Sequence, residues 1–132
     1  MAPRSLISVI DDDESVRRSL PNLLKEFGFA ARSFSSAAEF LASDALAESS
    51  CLILDVRMPE MSGPDLQREL TRRRRALPII FITASPDEGL RQPLLEHGAV
   101  ECLFKPFTET VLCEALGAAL QTTRHCSTDN DQ

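Results

Sequence analysis

The sequence lacks a long hydrophobic run, because none of its apolar stretches approaches the roughly 20 residues that a membrane-spanning helix needs. Its N-terminus also lacks the apolar segment of a secretory signal peptide. These two absences argue against a membrane-embedded or exported protein. We therefore expect a cytoplasmic location and no membrane partner.

Cysteine pairs and an excess of basic residues are also missing. None of the four cysteines stands in a C-x-x-C pair or at Cys/His ligand spacing, so we expect reduced structural thiols rather than a metal or redox site. Lys and Arg number 14 against 20 Asp and Glu, which gives a formal net charge of −6. This charge disfavours nucleic acid as the main partner. The basic run from Arg72 to Arg75 is predicted to be a solvated helix end.

The length and composition indicate one folded domain. The chain has 132 residues, of which 43% are hydrophobic, so it can form a core and is not generally disordered. No internal repeat is visible. Residues 122–132 are polar, and we expect a single domain over residues 1–121 followed by a disordered tail.

Short apolar runs alternate with helical patterns along the chain. We predict strands over Leu6–Ile10, Phe29–Phe34, Cys51–Asp55, Ile79–Thr83 and Val100–Phe104. Helices are predicted from Asp13, a candidate N-cap, to Gly28, from Ser36, from Pro64 to about Arg73, and from Thr108 to about Gln121. The alternation predicts an α/β fold, in which a parallel sheet is covered by helices on both faces. Its expected strand order is the doubly wound, flavodoxin-like 2-1-3-4-5.

Prolines are predicted to disturb two of the helices. Pro21 cannot donate a backbone hydrogen bond, so we expect a kink in the first helix. Pro93 would break a helix that began near Asp87. We therefore predict an irregular loop followed by a short fourth helix over about Gln92–His97.

Charged and hydroxyl side chains stand at the carboxyl ends of four predicted strands. They are Asp11 and Asp12 after the first strand, Asp55 in the third, Thr83 in the fourth and Lys105 after the fifth. In the order 2-1-3-4-5, the first and third strands are neighbours at the switch point where ligands bind in such sheets. The predicted topology therefore gathers these distant residues into one pocket.

A cluster of carboxylates needs a counter-charge. Neighbouring carboxylates raise one another's pKa values, and a hard cation removes that conflict. Mg²⁺ prefers a few carboxylates plus waters to a complete protein cage. We predict Asp12 and Asp55 as direct ligands, Asp11 as a ligand through water, and the backbone carbonyl of Arg57 as a further oxygen donor.

The predicted chemistry is phosphoryl transfer to an aspartate. Asp55 would attack the phosphorus of a donor and form an acyl phosphate. Mg²⁺, Lys105 and the Thr83 hydroxyl would hold the phosphoryl oxygens, since positioning and charge stabilisation do most of the work in this reaction. The small side chain of Ala84 leaves room for the incoming group.

Four separated motifs resemble the signature of bacterial response-regulator receiver domains. They are Val9-Ile10-Asp11-Asp12-Asp13-Glu14, Leu54-Asp55-Val56-Arg57-Met58-Pro59-Glu60-Met61-Ser62-Gly63, Ile82-Thr83-Ala84 and Phe104-Lys105-Pro106-Phe107. The resemblance spans about residues 5–121. The loop from Val56 to Gly63 is similar to that of the subfamily whose receivers usually precede a helix-turn-helix DNA-binding domain.

The resemblance implies a place in a two-component system. Asp55 would take a phosphoryl group from a phosphohistidine of a sensor histidine kinase or phosphotransfer protein. The family also implies a cis peptide bond at Lys105-Pro106. On phosphorylation it implies a shift of the face formed by the fifth strand and its two flanking helices. Such a domain is a signalling unit that gains and loses its own phosphoryl group, not a turnover enzyme.

The output of the domain is not specified by the resemblance. The output partner is unknown, and a phosphorylation-dependent homodimer is left open. The chain either stands alone or is cut from a longer regulator. We expect no direct nucleic-acid contact by this chain, because too few residues follow the last predicted helix for a helix-turn-helix domain.

One departure from the family pattern concerns the expected switch. Receivers usually carry Phe or Tyr three residues before the lysine, where this sequence has Cys102. That ring normally changes rotamer as the threonine moves toward the phosphoryl group, and a cysteine cannot do the same. We therefore group Cys102 with Pro93 and Pro106 as residues expected to shape switching and output.

Two other functions are compatible with the motifs. One is a degenerate receiver that serves only as a phosphorylation-independent binding module, although every expected site residue is present. The other is a phosphohydrolase of the haloacid-dehalogenase type, which would use Asp11-x-Asp13 as nucleophile and acid. The chain has no cap insertion to form a substrate pocket for such an enzyme.

Overall fold

The computed structural model describes residues 5–84 and 88–120. The strands of the described ranges are β1 Leu6–Ile10, β2 Ala30–Phe34, β3 Ser49–Asp55, β4 Ile79–Thr83 and β5 Glu101–Phe104. The helices are α1 Glu14–Glu26, α2 Ala37–Leu41, α3 Ala45–Glu48, α4 Gly63–Arg72, α5 Glu88–Glu96 and α6 Glu109–Leu120. The predicted tail, residues 122–132, lies outside the described residues.

The strands form one parallel sheet in the order β2-β1-β3-β4-β5. This confirms the predicted doubly wound, flavodoxin-like α/β fold. In the central strands, Leu54 lies opposite Ile10 of β1 and Phe81 of β4. The carboxyl ends of β1, β3 and β4 therefore meet at the same edge of the sheet.

Alternate residues of the strands pack into two core layers on opposite faces of the sheet, as the period of a strand dictates. One layer joins Ile10, Leu52, Leu54 and Phe81 to residues of α2, α4 and α5. The other joins Ile7, Val9, Ile53, Ile80 and Ile82 to residues of α1 and α6. Burial of both faces supplies the main stabilisation of the sheet.

The first helix follows its sequence signals. Asp13 is its N-cap, and the Asp13 carboxylate accepts from the backbone N–H of Ser15 at 2.9 Å. Gly28 follows the C-cap with φ +99°, a conformation that a glycine adopts without strain. Pro21 lies inside the helix, and the kink expected there stays a prediction.

The predicted extent of the fourth helix of the sequence analysis is wrong. Instead of beginning near Gln92 after an irregular loop, the helix (α5) begins at Glu88 and ends at Glu96. Pro93 lies inside it rather than in its first turn. Asp87, near which a longer helix would have begun, lies outside the described residues.

Tertiary contacts explain why Pro93 does not end α5. The proline removes one backbone donor, but the neighbouring Leu94 is buried in the core layer beside the sheet. Arg91, on the same helix, donates two hydrogen bonds to a carboxylate oxygen of Glu101 in β5, at 3.1 and 2.5 Å. The packing and this ion pair offset the lost helical bond.

Smaller differences appear at other element ends. Ser62 caps α4 in a capping box with Asp65, so the helix begins at Gly63. Pro64 is therefore its second residue, whereas it was predicted to be the first. The helix α3 was not predicted, because it is a single turn without a hydrophobic period. Among the described residues, no helix is long and apolar enough to cross a membrane.

Among the cysteines in the described ranges, one differs from the expectation. Cys51 and Cys102 are buried free thiols, as predicted. Cys113 is disulfide-bonded, so the expectation of a reduced thiol is wrong there. Sequence spacing reveals only local cysteine pairs, whereas a disulfide depends on proximity in the fold.

The C-terminus of α4 ends in a Schellman motif with an unusual residue. The backbone N–H of Arg74 donates to Thr71 and that of Arg75 donates to Leu70, at 3.0 and 2.9 Å. Arg74 occupies the left-handed position, with φ 61°, where glycine is the usual residue. The side chains of this basic run are exposed, and Arg72 and Arg73 both pair with Glu69, as expected for a solvated helix end.

Replacing Arg74 by Gly is expected to stabilise the protein by about 0.5–1 kcal/mol. The change removes the strain of a non-glycine residue in the left-handed region. This gain in free energy is larger than the cost of the conformational entropy that glycine adds to the unfolded chain. Urea unfolding measures the difference. The control Arg73→Gly, at a residue with φ −84°, should instead lower the free energy of unfolding. A loss of stability in Arg74→Gly would contradict the strain argument.

Candidate functional site

Three aspartates converge at the carboxyl edge of the sheet. Asp11 and Asp12 follow β1, and Asp55 is the last residue of the adjacent strand β3. One carboxylate oxygen from each of the three lies within 4.8 Å of those of the other two. The strand order thus brings together the residues that the sequence analysis chose as metal ligands.

A cavity of about 370 Å³ opens beside this cluster. It is lined by Asp12, Asp13, Asp55, Arg57, Thr83, Ala84 and Lys105. Every predicted residue for phosphoryl binding therefore faces the same space as the predicted acceptor. Asp13, predicted only as a helix cap, lines the cavity as well.

Asp11 is buried behind the cavity and both of its carboxylate oxygens are occupied. Its Oδ1 accepts from the backbone N–H of Asp13 and its Oδ2 accepts from Nζ of Lys105, each at 2.9 Å. The carboxylate has no accessible surface. Asp11 is thus held by the backbone of Asp13 on one side and by Lys105 on the other.

Asp55 is nearly buried, with 7% of its surface exposed, and its Oδ1 accepts weakly from the backbone N–H of Arg57 at 3.3 Å. Burial raises the pKa of the Asp55 carboxyl to about 7, and the negative charge of Asp11 adds to the rise. Lys105 opposes the shift without cancelling it. Burial and the charge of Asp11 together therefore disfavour the ionised form of Asp55.

Lys105 is the cation that bonds to the aspartate cluster. Burial alone would lower the pKa of its ammonium group, but the hydrogen bond to Asp11 and the charges of Asp11, Asp55 and Asp13 outweigh burial and raise it. The side chain therefore stays protonated near neutral pH. Thr83, the last residue of β4, is buried with 1% exposure beside the same cavity.

The loop after β3 returns at Gly63 to contact the backbone at the end of that strand. The backbone N–H of Gly63 donates to the carbonyl of Val56 at 3.0 Å. A Cβ atom on Gly63 would lie 2.4 Å from the carbonyl oxygen of Asp55 and 2.9 Å from a ring carbon of Phe81. Only a glycine fits at this contact, because backbone and a buried ring cannot yield as a flexible side chain would.

Replacing Gly63 by Ala is expected to cost about 2 kcal/mol of stability, within the usual range for overpacking a core. The added methyl group must displace the backbone of Asp55. Guanidinium chloride unfolding measures the loss. The matched control is Gly117→Ala in α6, where a Cβ meets nothing within 4 Å and the change should stabilise the helix. Equal stability of Gly63→Ala and wild type would show that the loop can relax.

The residues expected to shape switching are not among those that line the cavity. The Lys105-Pro106 peptide bond is cis, as the family resemblance implied. Cys102 is 3% exposed and belongs to the core layer that contains Leu94 of α5, and burial raises the pKa of its thiol. Pro93 lies inside that same helix.

Sequence reasoning missed two contacts around the site. Nη1 of Arg17 in α1 donates to the backbone carbonyl of Asp11 at 2.9 Å. Arg91 of α5 pairs with Glu101, whose carboxylate also accepts from the backbone N–H of Cys102 at 3.0 Å. Neither contact has a local sequence signal, since each depends on the placement of a helix against the sheet.

Comparison with known proteins agrees with this architecture. Residues 7–117 match the family model of the response regulator receiver domain. Nodulation protein W of Bradyrhizobium diazoefficiens is 42% identical over 121 residues, which cover 92% of this chain and 53% of that protein. Response regulator protein TodT of Pseudomonas putida is 43% identical over 117 residues, which cover 89% of this chain and 52% of that protein.

A solved structure is also similar to this chain. The crystal structure of FixJ-N superposes with a TM-score of 0.80 at 35% sequence identity, covering 91% of this chain and 96% of that chain. The chain spans about half the length of the curated relatives that it matches. With the family model matching most of its residues, the chain belongs to the receiver domains of two-component response regulators.

Proposed function

We propose that this chain is a phosphoacceptor, which takes a phosphoryl group onto Asp55 from the phosphohistidine of a sensor histidine kinase or phosphotransfer protein. One observation carries the proposal. The Asp55 carboxylate lies in the three-aspartate cluster and lines the same cavity as Lys105 and Thr83. An acceptor carboxylate and a cation thus adjoin one space, which Thr83 also lines and which is large enough for a phosphoryl group.

The cluster fits a magnesium ion. Receiver domains bind Mg²⁺ at an acidic pocket; here burial, and after it the negative charge of Asp11, raises the pKa of Asp55 despite the opposing charge of Lys105. Asp12 and Asp55 would be direct ligands together with the carbonyl of Arg57, and Asp11 would act through water. When bound, the ion supplies positive charge that keeps the carboxylates ionised and offsets the charge of the phosphoryl oxygens.

The residues of the chain have distinct tasks in the transfer. A carboxylate oxygen of Asp55 attacks phosphorus, the bond between phosphorus and the donor nitrogen breaks, and the donor imidazole leaves with that electron pair. Nζ of Lys105 and the hydroxyl of Thr83 would each donate to a phosphoryl oxygen. Ala84 presents only a methyl group to the cavity and so leaves space for these oxygens.

The proposed output is a change at the face formed by β5, α5 and α6. Thr83 ends β4 next to β5, so movement of its side chain toward a phosphoryl group changes the packing beside Cys102. The domain would carry one phosphoryl group per chain and would not turn over a substrate. Its effect would pass to a partner protein, to a second copy of the chain or to a domain of a longer regulator.

Acetyl phosphate with Mg²⁺ tests the proposal. The wild type is expected to gain one phosphoryl group by intact mass, and EDTA should abolish the gain because the metal site is then empty. Asp55→Asn should gain nothing, whereas the control Asp44→Asn, at an exposed residue, should behave as wild type. No gain by wild type would favour a phosphorylation-independent binding module, and equal gain by Asp55→Asn would show that another residue is the acceptor.

A further inference from the structure

Arg17 reaches from α1 to the backbone of the acidic loop, residues 11–13, which joins β1 to α1. Its side chain is half-buried, and Nη1 donates to the carbonyl oxygen of Asp11 at 2.9 Å. The backbone N–H of Arg17 also donates to the carbonyl of the helix cap Asp13, at 3.2 Å. Arg17 therefore contacts both ends of the loop.

The other contacts of the loop hold Asp11 from different sides. The backbone N–H of Asp11 donates to the carbonyl of Phe34 in β2 at 3.1 Å, and its side chain is held by Asp13 and Lys105. The carbonyl of Asp11 begins the peptide unit that leads to Asp12. Arg17 thus fixes the peptide plane from which Asp12 projects.

Asp12 depends on this plane for its position. Its side chain is exposed, unlike those of Asp11 and Asp55, so packing does not hold it. Mg²⁺ demands near-ideal octahedral geometry with short metal–oxygen distances. A small rotation of the loop backbone would therefore move the Asp12 carboxylate out of range of an ion held at Asp55.

We propose that Arg17 is a positioning residue for the metal site, which sets the affinity for Mg²⁺ by holding the Asp11 carbonyl and thereby the Asp12 carboxylate. The inference rests on the proposed function, since it concerns the metal of that same site. It assigns to α1 a part in metal binding that the carboxylates alone do not reveal.

If Arg17 acted only through its charge, its removal would change the affinity for Mg²⁺ in the opposite direction. The guanidinium group is a cation near a cation site, so removing it should strengthen Mg²⁺ binding if its charge were the dominant influence. A positioning role predicts weaker binding when the group is removed. The direction of the change in affinity therefore separates the two explanations.

The test is calorimetric titration of the full chain with MgCl₂, at a temperature where every variant is folded. Arg17→Gln should bind Mg²⁺ about tenfold more weakly than wild type, as expected for loss of an outer partner of a metal ligand. Arg17→Lys keeps a donor and should fall between the two. The control Arg18→Gln removes a neighbouring arginine that pairs with Glu14 on the surface, and should bind as wild type.

Each outcome has a definite meaning. Affinity of Arg17→Gln equal to or tighter than that of wild type overturns the inference and leaves the proposed function standing, provided that Asp12→Asn loses binding. No Mg²⁺ binding by wild type overturns both. Should Arg17→Gln fail to fold, Arg17→Lys decides, because a positioning role still requires a measurable loss of affinity with the charge retained.

Discussion

Replacing Lys105 by Gln is expected to slow phosphoryl transfer to Asp55 by a factor of about 100 to 1000, the usual cost of removing one preorganised donor from a transition-state oxygen. The Lys105 ammonium lies beside the cavity and is kept protonated by the carboxylates around it. Glutamine retains a polar side chain but supplies no charge. The rate is measured with acetyl phosphate at saturating Mg²⁺, by following intact mass over time.

The same substitution should act in the opposite direction on metal binding. Lys105 repels a cation in the cluster, so its loss should increase the affinity for Mg²⁺ while the transfer rate falls. The chain has only two lysines, and the other, Lys25, is exposed in the last turn of α1, which makes Lys25→Gln a matched control. A parallel fall in both quantities would indicate that Lys105 mainly supports the fold of the site.

Replacing Asp55 by Asn is expected to stabilise the metal-free protein by about 1–3 kcal/mol near pH 8. Burial and the charge of Asp11 raise the pKa of Asp55 from 3.8 to about 7, so the folded state binds this proton more tightly than the unfolded state does. The free energy of unfolding of the wild type therefore falls as the pH rises through this interval. Asparagine has no charge and avoids that penalty.

The pH dependence identifies the cause of this stabilisation. The difference between Asp55→Asn and wild type should be largest above about pH 7 and should close as the pH falls below 3.8, where Asp55 becomes protonated in both states. Urea unfolding in EDTA measures it, with the exposed Asp44→Asn as the control. Added Mg²⁺ should then stabilise the wild type more than the variant. A difference that does not change with pH would contradict the charge explanation.

The sheet was predictable because its strands are marked locally. The predicted β4, Ile79–Thr83, has the bounds of the structure, since Pro78 precedes an unbroken apolar run that ends at a hydroxyl residue. The strand order followed from the alternation of strands and helices together with the handedness of crossovers. Local signals and long-range packing agree in this part of the chain.

The helix α5 could not be predicted from local signals. Pro93 indicates a helix boundary by every local rule, and the helix continues because Leu94 is buried and Arg91 pairs with Glu101. Those contacts exist only once α5 lies against β5. Sequence patterns indicate that the proline removes a helical hydrogen bond, but they do not indicate the tertiary contacts that offset this loss.

The sequence indicated which residues come together at the candidate site, but not the hydrogen bonds between them. Acidic, hydroxyl and basic residues at strand ends predicted a shared pocket, and the structure brings them around one cavity. The sequence could not indicate that Lys105 would bond to Asp11, or that Arg17 would reach the backbone of the same residue. Such contacts depend on side-chain conformations that no spacing encodes.

Asp55 lies at the end of β3, and this position limits which parts of the molecule can move when its carboxylate is modified. This strand lies in the middle of the sheet, is paired on both sides and is buried along almost all of its length, so its backbone has no room to move. Any displacement would therefore be taken up by the connecting segments at the carboxyl edge. Under the proposed function, a protein bound at the opposite, amino-terminal edge of the sheet would receive little of the signal.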